Sequence, residues 1–346
     1  MAVSAIAWNR WTFDLAAVVP IALTCLLYGL GAWRRQAPQD AAQRWHALSF
    51  AGGMAILLLA FVSPLSALAV HLYFMQQIQD TLLLMVAPIL IVVAMPGPVL
   101  AAALPPGLRS AAMPAAVRNA ITMPGHGVVA TALFIAATFV WQWPPYHNAA
   151  ILSAPLAALM HLTQLGAGLL FWWRIFDRVP EPIGQSYGRR LMMLWIAALS
   201  HVGLGAYLTF KEETLYTAYD AMGRLFGISP ATDEATGGFI IWVPSALLCL
   251  AAAIMVIHLW GRHEDRIWAA RPTWSSSNSD ALLYPTTGEA LIEIARPKNR
   301  KLALGVLGFV FAVYAMTIFS GEIDHLRMAQ RHGGPAMPAQ ASSILR

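Results

Sequence analysis

Apolar stretches close to the length of a bilayer crossing recur along almost the whole chain, and this recurrence constrains the fold more than any other feature. A spanning helix needs roughly 20 apolar residues to cross a hydrocarbon layer of about 30 Å. Stretches of that kind run approximately from Thr12 to Trp33, Ala47 to Val70, Thr81 to Leu104, Gly127 to Trp143, Ala150 to Trp173, Leu191 to Phe210, Gly237 to Trp260 and Leu302 to Ser320. Lipid offers no partners to backbone N–H and C=O groups, so each stretch is expected to satisfy its own as a helix. The pattern predicts an all-α, polytopic transmembrane bundle of about eight helices. Composition agrees: 58% of residues are hydrophobic and only 11% charged, too little polar surface for a water-soluble fold of this size.

Orientation follows from the Lys and Arg residues, which collect in cytoplasmic loops. Of the 22, sixteen fall in the odd-numbered connections, among them Arg34, Arg35, Arg189, Arg190 and the group from Arg262 to Lys301. The connections around His71 to Gln79 and Pro144 to Asn148 hold none. Both termini are therefore expected outside, in the periplasm if the membrane is a bacterial inner membrane. The first stretch is too long for a signal peptide, and its arginines follow it instead of preceding it, so it is expected to remain in the membrane. The net charge of +5 does not point to nucleic acid, because the basic residues lie between apolar segments and form no basic domain. Lipid is the expected surrounding partner. Residues 1–261 read as a seven-helix membrane domain, 262–301 as a polar cytoplasmic linker, 302–321 as an additional transmembrane helix and 322–346 as a periplasmic tail. The segment from Pro105 to Arg118 has an amphipathic character suited to the inner membrane surface. Cys25 and Cys249 fall within apolar runs and read as core residues. No P-loop, G-x-S-x-G elbow or H-E-x-x-H helix is present, and no catalytic residue is assigned; the chain does not read as an enzyme.

Ionisable residues at membrane depth are costly and call for an explanation. His161 falls about 17 Å into the fifth stretch from the outside and His201 about 15 Å into the sixth from the inside, at 1.5 Å per residue. The two could share a site near the midplane. Imidazole suits copper, iron or zinc, so they are candidate metal ligands or haem ligands; alternatively each bonds across helices, with Thr163, Gln164 or Ser200 nearby. On the outer side, His71 and Met75 have i, i+4 spacing and would share a face if helical, an imidazole and thioether pair suited to Cu(I). Gln76 and Asp80 lie in the same polar group, with Asp80 expected to cap the third helix. Tyr146 and His147 are expected on the surface of the short outer turn. Copper is thus a candidate cofactor.

Several segments together resemble the CtaG-type family of cytochrome c oxidase assembly membrane proteins. They are Leu82 to Pro88, the turn Pro145-Tyr146-His147-Asn148, His161 with the Leu169 to Trp173 ending, Leu215-Tyr216 with Tyr219, and Asp233 to Pro244, which includes Trp242. The Gly-Gly-x-x-x-Trp-Val-Pro run is the most specific of these. The resemblance covers residues 12 to 261 and implies an assembly factor for a haem-copper oxidase, assisting metallation of a periplasm-facing copper centre, with oxidase subunits or other assembly factors as partners. It adds Asp233 and Trp242 to the candidate polar site. Where the family often has an H-x-x-x-H pair, this chain has Gln76 and Asp80, and Ala157 stands where a further histidine is expected. A copper or proton transporter built on His161 and His201 is the competing reading.

Overall fold

A computed structural model describes residues 15–35, 40–105, 126–177 and 184–269, together with residues 11, 179, 300, 304, 305, 307 and 308. The described residues contain helices and no strand. In chain order they are α1 (Leu15–Arg35), α2 (Ala41–Val62), α3 (Pro64–Ala69), α4 (Tyr73–Thr81), a π-helical stretch Leu82–Val86, α5 (Ala87–Ala94), α6 (Gly97–Ala103), α7 (His126–Gln142), α8 (Pro144–Leu152), α9 (Ala154–Ile175), α10 (Tyr187–Phe210), α11 (Ala218–Met222) and α12 (Pro230–Ala269). Six helical runs are long and apolar enough to cross a membrane: α1, α2, α4 to α5, α9, α10 and α12. The α7–α8 pair, bent by 73° between its halves, makes a possible seventh. Large apolar side chains such as Leu26, Leu162, Phe210 and Ile254 stay exposed on these helices, as they would where lipid replaces water. The chain is a multi-pass, all-helical membrane protein.

Local sequence explains the breaks. Ser63 and Trp143 each precede a proline, which disfavours the helical conformation for the residue before it, and both are extended. Pro64 and Pro144 then occupy the first turn of α3 and α8, where a missing N–H does no harm. Asp40 and Ser186 cap α2 and α10, accepting from the N–H groups of Gln43 and Arg189. Inside the third span, Pro88 has no N–H for the carbonyl of Leu84, and the helix widens just before it, with the N–H of Ala87 bonding to Leu82 O. Trp172 Nε1 takes up the freed Leu84 carbonyl at 3.2 Å. Gly168 makes this possible: a Cβ there would sit 2.3 Å from Leu84 O.

Phe134, Phe171, Trp172, Leu194 and Val256 form the largest apolar core, joining α7, α9, α10 and α12. The packing of α12 on α10 depends on Gly238, where a Cβ would lie 2.6 Å from Thr209 N. At the neighbouring Gly237 a Cβ would lie 2.3 Å from the Tyr73 ring. The Gly-Gly pair thus lets α12 close on two elements at once.

Two expected boundaries move. The third span begins at Tyr73, not Thr81, because the polar residues from Gln76 to Asp80 are buried against protein instead of facing lipid. Asp80 consequently lies two turns inside the span and does not cap it. At 40 residues, α12 is about 60 Å long at 1.5 Å per residue, well beyond the hydrocarbon, and its charged end continues to Ala269 within the stretch expected to be linker. The surface segment beyond Pro105, the rest of the linker, most of the expected eighth span and the tail lie outside the described residues.

Candidate functional site

The first turn of α12 carries two adjacent carboxylates, Asp233 and Glu234, both with no exposed surface. Buried charge requires compensation, and each finds it in backbone N–H groups and a base. Asp233 accepts from the N–H groups of Tyr73 at 3.0 Å and Phe74 at 2.9 Å, so it caps α4, whose own N-cap residue Leu72 supplies no side chain. Arg224 pairs with Asp233 and also bonds Asp220 at 2.6 Å and the Tyr216 carbonyl at 3.1 Å. Glu234 accepts from the N–H groups of Leu215 and Tyr216 and pairs with Lys211. These bonds fold the segment between α10 and α12 over the start of α4.

Beneath this segment the Tyr73 ring stacks on Tyr216, with centroids 4.3 Å apart. The Tyr73 hydroxyl donates to Gln142 Oε1 at 2.7 Å, and Gln142 Nε2 donates to Gln77 Oε1 at 2.7 Å. His147 is fully buried, contrary to the expectation of a surface turn residue: α8 folds back under the loop and brings its ring against Tyr216 and Tyr219. His147 Nδ1 donates to Trp141 O at 2.9 Å, which leaves Nε2 to accept from the Tyr219 hydroxyl at 2.7 Å. Asn148 Oδ1 accepts from Ala218 N. Burial pushes the phenols of Tyr216 and Tyr219 above the ordinary tyrosine value.

At the rim, His71 Nδ1 donates to the carbonyl of Gly223 at 3.0 Å, where Gly223 has a positive φ of 82°. His71 precedes α4, and the extended Leu72 stands between it and Met75. The i, i+4 argument for a shared helical face therefore fails, because the helix starts too late to include both. Tyr146 is exposed on α8. Trp242 packs over Gly205 on α10 and beside Phe239.

Deeper in the bundle, Gln76 Nε2 lies 2.8 Å from Asp80 Oδ1 and 3.4 Å from His161 Nε2. Ala157 lines the same groove as His161 and Gln76, a largely apolar space of about 620 Å³. The positions where the resemblance expects histidines thus converge, but here an amide N–H₂ group occupies the middle of the set. An amide nitrogen that donates to both neighbours is not a metal ligand. Among the described residues no group of three or more His, Cys, Asp or Glu side chains could hold a metal ion. This deep cluster does not suit a resident copper ion.

His201 does not join His161. Its Nδ1 donates to Ala197 O at 2.9 Å, and Thr138 Oγ1 lies 3.1 Å from its Nε2, beside a different and smaller cavity. Bonding between helices is what the placement of His201 displays. The structure therefore gathers His71, His147, Asp233, Tyr216 and Tyr219 at one end of the bundle, Gln76, Asp80 and His161 deeper in, and sets His201 apart. Sequence reasoning missed Arg224, Lys211 and Gln142. A signal existed for the first two: adjacent acids at the head of an apolar helix need bases, and the preceding connection holds only these two.

A model of the cytochrome c oxidase caa3 assembly factor family matches residues 26–263, more than half of the chain. No curated protein and no solved structure matches.

Proposed function

Because the chain belongs to the caa3 cytochrome c oxidase assembly factor family, we propose that it helps build a haem-copper oxidase in a bacterial inner membrane by passing copper to the enzyme's copper centre from the periplasmic side. Copper here is cargo, held briefly and handed on to an oxidase subunit or a further assembly factor. The loop charges support placing the His71 end outside, where the connections contain few Lys or Arg, and two of those bases are committed to Asp233 and Glu234.

One observation carries the copper reading: the bond from His71 Nδ1 to Gly223 O. Metal-binding imidazoles characteristically donate their other ring N–H to a carbonyl or carboxylate, which fixes the tautomer and orients the ring. His147 and His201 also donate Nδ1 to a carbonyl, but their Nε2 atoms face Tyr219 and Thr138 hydroxyls. The Nε2 of His71, by contrast, is left as the lone-pair atom at a partly exposed rim. A second donor comes from the client protein, and an incomplete ligand set favours release over storage. The ion-paired loop beneath gives His71 a fixed base, since Gly223 and Arg224 are adjacent.

Replacing His71 with alanine is expected to leave the protein at normal abundance while lowering the copper content of the assembled oxidase several-fold, with partial recovery in added copper. Metal analysis of the purified oxidase reads this directly. Unchanged copper content would remove the copper step, and the family-level role would then rest on whether deleting the gene still lowers assembled oxidase.

A further inference from the structure

Between α4, α7, α9, α10 and α12 lies a small cavity of about 20 Å³, bordered by Gln77, Asp80, Thr138, Gln164, His201 and Ser245. Three polar atoms on this border have no hydrogen-bond partner among the described residues: Gln77 Nε2, Asp80 Oδ2 and Gln164 Oε1. Their side chains belong to residues only 1%, 6% and 2% exposed, so bulk solvent does not reach them. An orphaned buried polar group costs about 1–3 kcal/mol, and three around one space indicate that something fills it.

The bonding pattern selects the occupant. The fully buried Tyr73 hydroxyl has Gln142 Oε1 as its acceptor, which fixes the Gln142 amide with Nε2 toward Gln77. Gln77 Oε1 is thereby the acceptor of that bond, and Gln77 Nε2 is a donor directed elsewhere. The unmet set is thus one donor, Gln77 Nε2, with two oxygens, Asp80 Oδ2 and Gln164 Oε1. A bare cation cannot accept the hydrogen bond from Gln77, and an anion would face both oxygens. A water molecule accepts one bond and donates two, and the cavity exceeds the roughly 10–15 Å³ a water centre requires.

We propose that this cavity is a binding site for one ordered water, which accepts from Gln77 Nε2 and bridges Asp80 Oδ2 and Gln164 Oε1. In either protonation state Asp80 has a partner in that water, as acceptor or as donor. The water also joins two bonded chains that otherwise stop short of each other. One runs from Tyr216 and Tyr73 through Gln142 to Gln77. The other runs from Asp80 through Gln76 to His161. Joined, they form a polar path from the segment under Arg224 to the groove beside His161, and a hydrated Asp80 is what stands at the position where the family resemblance expects a metal-binding histidine. The inference does not depend on the copper reading of His71.

A density map of the purified full chain, at a resolution that shows waters, tests it. A single peak within hydrogen-bonding distance of the three atoms is expected, without anomalous signal at the copper edge. An empty cavity or an anomalous peak would overturn the proposal. Thermal melts of Gln77→Leu, Gln164→Leu and the double variant give a second measurement. Because the two side chains meet through the water, the double variant's loss of melting temperature is expected to be smaller than the sum of the single losses. Additive losses would count against the shared water.

Discussion

Asp233 and Tyr73 are 160 positions apart, yet one carboxylate serves both as a helix cap and as half of an ion pair. Asp233→Asn keeps an acceptor but removes the fully buried carboxylate from the Arg224 guanidinium, leaving it the half-exposed Asp220 and the more distant Glu234. Breaking a buried pair from one side costs about 3–5 kcal/mol, so this variant should melt well below the parent protein, and adding Arg224→Met should restore part of the loss. Tyr216 and Tyr219 give the same region a pH dependence. Their folded-state values lie above the ordinary value of 10, so the folded state retains the phenolic protons more strongly than the unfolded chain does. Stability is therefore unaffected by them below about pH 10 and falls as pH rises beyond it; ultraviolet titration should show both phenolates appearing only with unfolding, and replacing both with Phe should remove that component. Single residues were unevenly legible in the sequence. The family resemblance marked out Asp233 and the outer turn marked out His147, but whether His147 lay on the surface or under a loop depended on a fold-back at Trp143 that no side-chain property announces.

At the level of elements, hydropathy located the spans well wherever a helix faces lipid, as with α1, α9 and α10. It failed at the third span, where Gln76, Gln77, Gln79 and Asp80 read as a loop but are inside the bundle. Polar residues that satisfy one another lose their hydropathic signature, and only three-dimensional partners such as Gln142 and the Ala60 carbonyl reveal it. The π-helical stretch before Pro88 is a second case: the proline was visible, its remedy was not. Trp172→Phe keeps the aromatic packing but leaves the Leu84 carbonyl unpaired, an expected loss of about 1–3 kcal/mol in a chemical or thermal unfolding measurement. A larger loss would mean that the indole also holds α9 in place by its shape.

Taken whole, the described bundle is built from spans that are conventional toward lipid and unusually polar toward one another at the His71 end. Loop charges and apolar lengths made the membrane class readable before any coordinates, and the segments behind the family resemblance turn out to be neighbours in space: Asn148, Leu215, Tyr219 and Asp233 all meet around α4. What sequence could not supply was that convergence, because it joins residues from four separate stretches. It has a consequence for biosynthesis. A ribosome delivers the Gln76 to Asp80 segment long before α12, so for most of translation the third span has neither its cap nor its covering helix. The nascent protein must tolerate a polar segment at the edge of the bilayer until the final partner emerges. Pulse-chase labelling of chains truncated before Pro230 should therefore show rapid turnover by membrane quality-control proteases, whereas chains ending after Ala269 persist; if the two decay at one rate, the bundle closes earlier than its bonding order implies.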